Sequence, residues 1–248
     1  MDFPYVLIGN GIASIGAIEG IRKAGADGEI LIIGAEDSPA YGRPLISYLL
    51  AGRISSDQLA LRPEEFYRKN NVRLKLGTRV ESVDAANNTL TTDTGETIAY
   101  GKLLIATGGI PFSPGIEGEE GPDVYNFTNL GHAQKLISLA RDIKRAVVVG
   151  GGLIGLKAAE SLFERGVEVS ILELSPRILS VAFDKNAAWL AGKRLDEVGI
   201  AVHTGVTAKQ ILRDDMSRVT GVLCTDGTHL ECDAVVIAIG VVPNYGLA

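Results

Sequence analysis

Residues 146–162 read AVVVGGGLIGLKAAESL: an apolar run, a glycine turn and a helix-patterned segment in immediate succession. Gly150, Gly152 and Gly155 satisfy the spacing G-x-G-x-x-G. In a strand–turn–helix setting the first glycine permits the tight turn and the second lets backbone approach a pyrophosphate. The third allows close helix–strand packing. The helix N-terminus then offers unpaired N–H groups and a positive dipole end to phosphate. Leu153 and Ile154 open that helix and are counted with the site. Glu173 closes the next strand about twenty residues on, placed to accept hydrogen bonds from a ribose 2′-hydroxyl. A carboxylate there repels a 2′-phosphate, so the pattern predicts an NAD(H) site and favours NADH over NADPH.

A second such turn lies roughly half a chain earlier, in YVLIGNGIASIGAIEGI, residues 5–21. Gly9 and Gly11 are in place, but the third position is Ser14, with Gly16 two residues later. Serine is small enough for near-close packing, so the departure is mild. Ile12 and Ala13 start the helix, and Glu36 again ends the second strand. One glycine turn is weak evidence. Two, each followed by an acid, predict a chain that holds two dinucleotides, an arrangement useful for passing electrons between them.

The remainder of the chain agrees with this. Its 248 residues are 46% hydrophobic, ample for a large core in one or two domains. A net charge of −6 argues against nucleic acid or an anionic membrane as partner. No apolar run approaches the ~20 residues of a membrane span, and the first strand begins at once, without a signal peptide. A cytoplasmic protein is expected. Cys224 and Cys232 flank an Asp226-Gly227 hairpin signal that places Cys224 near His229 rather than opposite Cys232. Two reduced thiols are expected there, with no metal site.

Residues 5–34 read as strand, turn, helix and strand. After a turn-rich loop and a charged helix (RPEEFYRKN), the segments VRLKLG, TRVESVD, NTLTTD and ETIAY alternate apolar with polar residues. They predict a small antiparallel sheet with one wet face. KLLIATGG resumes the buried-strand pattern. A Pro- and Gly-rich linker is expected near residues 110–124. A helix from Leu130 follows, and the βαβ pattern restarts at Ala146. A long amphipathic helix over residues 185–198 carries the lone Trp189, read as a core residue. A β-rich stretch and a last apolar strand complete a second half that repeats the first.

With these motifs in order, the chain resembles the FAD-dependent pyridine nucleotide-disulfide oxidoreductase superfamily. IGNGIA, EILIIGAED and YGRPLISYLL resemble its rubredoxin reductase, NADH oxidase and nitrite reductase flavoprotein branch. LLIATGGIP and AVVIAIGVVPN resemble the two Ala-Thr-Gly-type motifs. The resemblance implies an α/β fold class: two Rossmann-like dinucleotide-binding domains (FAD/NAD(P)-binding, three-layer ββα), each with a small β excursion. Residues 1–112 would form the first segment of the FAD domain and residues 113–242 the NAD(H) domain. Residues 243–248 would begin the return to the FAD domain. The cofactors would be FAD and NADH. Gly9, Gly11 and Glu36 would hold the FAD pyrophosphate and adenosine ribose. Arg43 and Pro44 would lie by the isoalloxazine, Val80 by the adenine, and Ala106, Thr107 and Gly108 along the FAD. Gly150, Gly152, Glu173 and Gly240 would line the NADH site.

Three departures from the family pattern bear on chemistry. No cysteine lies between Tyr41 and Leu50, so a thiol route is not expected. Lys157 stands where the family places Glu near the nicotinamide–flavin contact. It either pairs with an acid, tunes the flavin, or points elsewhere; no other residue is assigned a catalytic role. The sequence ends at Ala248, before the family's second FAD segment and its often dimer-forming interface domain, so a fragment is expected. His132, ahead of a helix, His203 in a strand and His229 in a hairpin are read as structural. The leading expectation is an NADH oxidoreductase that passes hydride to FAD and electrons to rubredoxin, another redox centre or oxygen. The rivals are a non-catalytic nucleotide-binding module, a thiol enzyme whose cysteine lies elsewhere, and an NADPH-using variant.

Overall fold

A computed structural model of the chain describes residues 2–248. The first half runs β1 (Phe3–Ile8), α1 (Ile12–Lys23), β2 (Ile30–Ile33), α2 (Ile46–Ala51), α3 (Glu64–Lys69) and β3 (Val72–Lys75). It continues through β4 (Val80–Asp84), β5 (Thr89–Thr92), β6 (Thr97–Ile105) and β7 (Gly109–Pro111). The second half opens with β8 (Val124–Asn126), α4 (Leu130–Leu139), β9 (Arg145–Val149), α5 (Leu153–Phe163) and β10 (Glu168–Glu173). Then come α6 (Lys185–Val198), β11 (Ala201–Thr204), β12 (Ala208–Arg213), β13 (Val219–Cys224), β14 (His229–Glu231), β15 (Ala234–Ile237) and β16 (Val241–Pro243). The residues divide into two compact units. One runs to Gly42, resumes over Ser56–Ile110 and takes back Pro243–Ala248. The other combines Arg43–Ser55 with Pro111–Val242.

In the first unit six strands lie in the order β3-β2-β1-β6-β5-β4. β1 is parallel to β2 and β6, and β2 is parallel to β3. β5 runs antiparallel to β4 and β6. The expected small antiparallel sheet is therefore corrected in two respects. VRLK is not part of it: it extends the parallel sheet, and it alternates because it is an edge strand, half exposed. ETIAY and KLLI are one strand, β6, whose start pairs with β5 and whose end pairs with β1. The core lies on both faces of β1, with Leu7 turned toward Ile15 and Ile18 of α1. Val6 and Ile8 meet Leu31, Ile33, Leu90 and Ile98 on the other face. Fully burying such an Ile or Leu contributes roughly 1.5–3 kcal/mol. Leu247 packs on that second cluster, so the last residues belong to this unit.

The second unit carries a five-stranded parallel sheet in the order β11-β10-β9-β15-β8. An antiparallel meander, β12-β13-β14, lies beside it. α2 packs on α4 and α5 of this unit. There Ser161 Oγ donates to Ser47 O at 2.9 Å, and Arg165 reaches the carbonyls of Leu49 and Leu50. α6 starts from an Asp184 side-chain cap and ends at Gly199, whose φ of 92° suits a left-handed C-terminal cap. Trp189 corrects the core reading: it is 63% exposed, because α6 buries only Ala188. Its ring takes the Lys193 ammonium at 5.7 Å instead. His132 lies inside the first turn of α4 rather than ahead of it. Its N–H is held by the Asn129 cap at 2.8 Å, and its Nδ1 accepts the Thr128 N–H at 3.2 Å. No helix among the described residues is long and apolar enough to cross a membrane.

Asp123, 5% exposed and at φ 65°, ties three strands together. Its carboxylate accepts Arg218 Nε at 2.5 Å, Arg218 Nη2 at 3.2 Å and the Val219 N–H at 3.3 Å, while its carbonyl accepts the Val235 N–H at 2.9 Å. Replacing it removes the pair and strands a buried N–H. Asp123→Ala should destabilise the second unit by about 1–3 kcal/mol, read as a lower urea midpoint. Asp123→Asn, which tolerates the backbone and keeps one acceptor, should lose less; equal losses would show that the neutral acceptor contributes nothing and that the charge carries the whole effect.

Candidate nucleotide-binding sites

Each unit places one glycine turn at the carboxyl end of a parallel strand, β1 in the first unit and β9 in the second. In the first unit Gly9 has φ 107°, and a Cβ on it would sit 2.2 Å from the Ala106 carbonyl oxygen. In the second, Gly150 has φ 114°, with Ala238 O 2.5 Å from the same position. Both require glycine, for backbone conformation and for closeness. Gly11 and Gly152, the N-caps of α1 and α5, have nothing within 4 Å of a Cβ position. A side chain would fill that open space. Neither helix has a side-chain cap or an acid in its first turn, whereas α4 and α6 are capped by Asn129 and Asp184. The leading N–H groups of α1 and α5, those of Ile12 and Ala13 and of Leu153 and Ile154, are thus left for an external anion, which fits a pyrophosphate. Ile12 and Leu153, exposed by 68% and 69%, Ala13, also exposed, and Ile154, exposed by 37%, flank these openings.

The third motif position shows how the two turns differ. A Cβ on Gly155 would lie 1.8 Å from Gly150 O, so α5 sits directly on its own turn. In the first unit Ser14, fully buried, donates its hydroxyl to Gly9 O at 2.5 Å. The serine turns the same approach into a hydrogen bond.

The carboxylates are also held differently. Glu173 Oε2 accepts the Gly151 N–H and Oε1 the Ser175 N–H, both at 2.7 Å. Each oxygen keeps a lone pair for a ribose hydroxyl. Glu36 lies three positions beyond the end of β2, where its Oε2 accepts the Tyr41 hydroxyl at 2.6 Å. Asn10, inside the first turn, donates Nδ2 to Ser38 O at 3.0 Å. Its Oδ1 is buried without a partner. Ala106 and Thr107 follow β6; the Thr107 hydroxyl donates to Asn244 O at 2.5 Å, and Asn244 N–H donates to Gly108 O at 2.8 Å. Val80 lies in β4 with its side chain in the core, leaving only backbone to a ligand. Gly240, at φ 116°, is open around its Cβ position. The residues present therefore fit a dinucleotide in each unit, as FAD and NAD(P)H would require.

Arg43 and Pro44 fall in the second unit, where Arg43 Nη1 donates to Thr128 O at 2.7 Å and Pro44 O accepts the Ser47 hydroxyl at 2.9 Å. Lys157 pairs with Glu160 one turn along α5, and its ammonium lies 5.3 Å from the Tyr48 ring centre. Arg53 stacks on the same ring at 5.6 Å and bridges Glu160 at 3.0 Å and Glu164. Burial pushes the Glu160 carboxyl up, but the Lys157 hydrogen bond and charge, with Arg53, hold it below the usual range. Cys224 and Cys232 are free and buried. Burial, with Asp233 nearby, pushes the Cys232 thiol up to about 12, and burial raises Cys224 as well. Sequence reading missed the loop after Glu173 and the Asn244 contacts. The polar SPR that follows the acid was the available signal for the loop; nothing local marks Asn244 as a partner of Thr107.

A family model described as pyridine nucleotide-disulphide oxidoreductase matches residues 3–248. The nitrite reductase (NAD(P)H) of Bacillus subtilis is 35% identical over 98% of this chain and 30% of its own length. The rubredoxin-NAD(+) reductase of Alcanivorax borkumensis is 29% identical over 99% of this chain and 64% of its own. A ferredoxin reductase structure from Rhodopseudomonas palustris matches with a TM-score of 0.89 at 34% identity, covering 97% of this chain and 60% of that one. The chain thus spans 30% to 64% of the length of these relatives.

Two outcomes test the site. Gly155→Ala should destabilise the second unit by at least about 3 kcal/mol, because the methyl meets fixed backbone. Gly152→Ala, at φ −78° with open space, should leave the melting temperature of the unliganded chain in place. It should nonetheless weaken NAD+ binding by about tenfold or more; unchanged affinity would remove this turn from the site. For the thiols, the folded chain keeps protons that the unfolded chain releases above an ordinary value near 9. Stability should therefore fall as pH rises from about 9 toward 12, over and above the decline of a Cys224→Ala/Cys232→Ala double variant.

Proposed function

The chain belongs to the pyridine nucleotide-disulphide oxidoreductase family, and on that footing we propose that it is the nucleotide-binding part of an FAD-dependent NADH oxidoreductase. FAD is held by Gly9, Gly11, Ile12, Ala13, Glu36 and the Ala106–Gly108 stretch, and NADH by Gly150, Gly152, Leu153, Ile154, Glu173 and Gly240. The observation that carries this reading is the repeated glycine turn: a backbone-tight first glycine, an open second one, an uncapped helix and a following carboxylate, twice in one chain. FAD, when bound, supplies the two-electron acceptor for the hydride of NADH. The chain's own residues bind and orient: turn N–H groups take phosphate charge, and the carboxylates fix the adenosine riboses.

Electrons leave for a redox protein, another redox centre or oxygen without a protein disulfide. Support comes from the cysteines, which sit in the β13–β14 region of the second unit with their thiols held protonated. The names of the relatives, nitrite, rubredoxin and ferredoxin reductases, favour a redox partner. Glu173 favours NADH over NADPH, because a 2′-phosphate would face its carboxylate. A cytoplasmic location goes with this reading. A second reading, a nucleotide-binding module that is not catalytic by itself, is favoured by the 30% to 64% coverage of relatives.

The purified chain, supplied with FAD and freed of excess, should show flavin absorption bands that bleach when NADH is added anaerobically. Flavin bands that NADH leaves unchanged would favour the module; no retained flavin at any FAD concentration would sink the first-unit assignment. NADH should bleach the bands at lower concentration than NADPH, and the reverse order would remove Glu173 as the selector.

A further inference from the structure

The two glycine turns match one another bond for bond along the neighbouring strands. Gly9 N–H donates to Ile33 O at 2.8 Å, as Gly150 N–H does to Leu172 O at 2.7 Å. Thr78 N–H donates to Gly34 O at 2.9 Å, as Val206 N–H does to Glu173 O at 3.2 Å. Gly77 N–H donates to Glu36 O at 3.0 Å, as Gly205 N–H does to Ser175 O at 3.0 Å. These matched bonds set Gly34 of the first unit against Glu173 of the second, and Glu36 against Ser175. The first unit therefore has no carboxylate at the position that ends β10 in the second. Its acid stands two residues farther on.

The gap that Glu173 fills is filled in the first unit from the opposite side. A Cβ on Gly151 would lie 2.9 Å from Glu173 Cβ and 3.0 Å from its Oε2, so the strand supplies the side chain and the turn stays bare. A Cβ on Gly34 would lie 3.0 Å from Asn10 Cβ, so here the turn supplies the side chain and the strand stays bare. Asn10 and Glu173 thus exchange places across one gap. Ser38 O can only accept, and its 3.0 Å contact with Nδ2 fixes which way the Asn10 amide faces. Oδ1 is left as the acceptor, buried and without a partner among the described residues. An acceptor in that state is uncommon in a folded chain and calls for a donor from outside it. The opening for such a donor adjoins the amide: Gly11, the next residue, has nothing within 4 Å of its Cβ position, and Asn10 as a whole is half-buried.

We propose that Asn10 Oδ1 accepts the 2′-hydroxyl of the adenosine ribose of the first unit's dinucleotide, taking there the part that Glu173 has in the second. The inference rests on the FAD assignment above, and adds to it a residue that the G-x-G-x-x-G pattern leaves unspecified. An uncharged acceptor suits this place, because Glu36 already brings a negative charge to the same loop, and a second carboxylate would repel it. Asn10 acts in binding and not in the chemical step. Its Oδ1 sets where the adenosine lies, and its Nδ2 ties that position to the loop that carries Glu36.

Flavin fluorescence quenching tests this without turnover. The full chain, with NAD+ present to occupy the second unit, is titrated with FAD and with an FAD analogue whose adenosine lacks the 2′-hydroxyl. In the unaltered chain the analogue should bind about three- to tenfold more weakly, the loss of one hydrogen bond. In Asn10→Ala, FAD itself should weaken by a similar factor or more, and the difference between the two ligands should vanish, because the group that reads the hydroxyl is gone. Asn10→Asp keeps an acceptor but loses the donor to Ser38 O; it should bind both ligands more weakly and still prefer FAD. A thermal melt of each variant checks that the unit stays folded. Equal binding of the two ligands by the unaltered chain would overturn the proposal. So would a preference for FAD that survives undiminished in Asn10→Ala, which would leave Asn10 as a brace for the Ser38 loop alone. Failure of the unaltered chain to bind either ligand would instead overturn the FAD assignment, and this inference with it.

Discussion

The nucleotide cradles depend on one repeated constraint, the contact between a glycine and the carbonyl that follows the partner strand. Gly9 lies against Ala106 O and Gly150 against Ala238 O, each so close that no side chain could stand between them. The contact aligns the turn with the end of the parallel sheet, because Ala106 and Ala238 directly follow β6 and β15. Their N–H groups bond back to Ile8 O and Val149 O at 2.8 Å. Everything assigned to phosphate follows from that closure: the turn geometry, the start of the helix and the direction of its free N–H groups.

Within that shared frame the two units are tuned differently. The second brings α5 onto the turn itself, through Gly155, and ties the turn to Glu173 by a hydrogen bond from Gly151. Its glycine turn and its carboxylate are mechanically one piece. The first replaces the third glycine with a serine that bonds Gly9 O, and its acid is braced by Tyr41 rather than by the turn. Here turn and acid are set by separate contacts. Asn10, which bonds Ser38 O, occupies the turn position that Gly151 leaves bare.

Charge placement carries the chemistry. The second unit gathers Lys157, Arg53, Glu160 and Glu164 around the Tyr48 ring, so the lysine that departs from the family pattern is neutralised on its own helix. It also draws Arg43–Ser55 against α5, through Ser161 and Arg165, although that segment is separated from α5 by about a hundred residues. The two cysteines, one at the end of β13 and one just after β14, are free and buried, and burial raises both thiols.

The local patterns sufficed for both glycine turns, both acids, the helix over 185–198 and the parallel strands, because each rests on spacing along the chain: period, turn chemistry and caps. They misled where the same local pattern has two tertiary sources. Alternation in VRLK marked an edge strand of a parallel sheet, and Trp189 on an amphipathic helix stayed outside because the buried stripe of α6 is one residue wide. Tertiary structure alone decided that Arg43–Ser55 joins the second unit, that Asn244 closes on Thr107, and that Asn10 bonds Ser38 O across the gap beside Gly34. These are contacts between residues far apart in sequence. Spacing along a chain limits what can meet, and only packing decides what does.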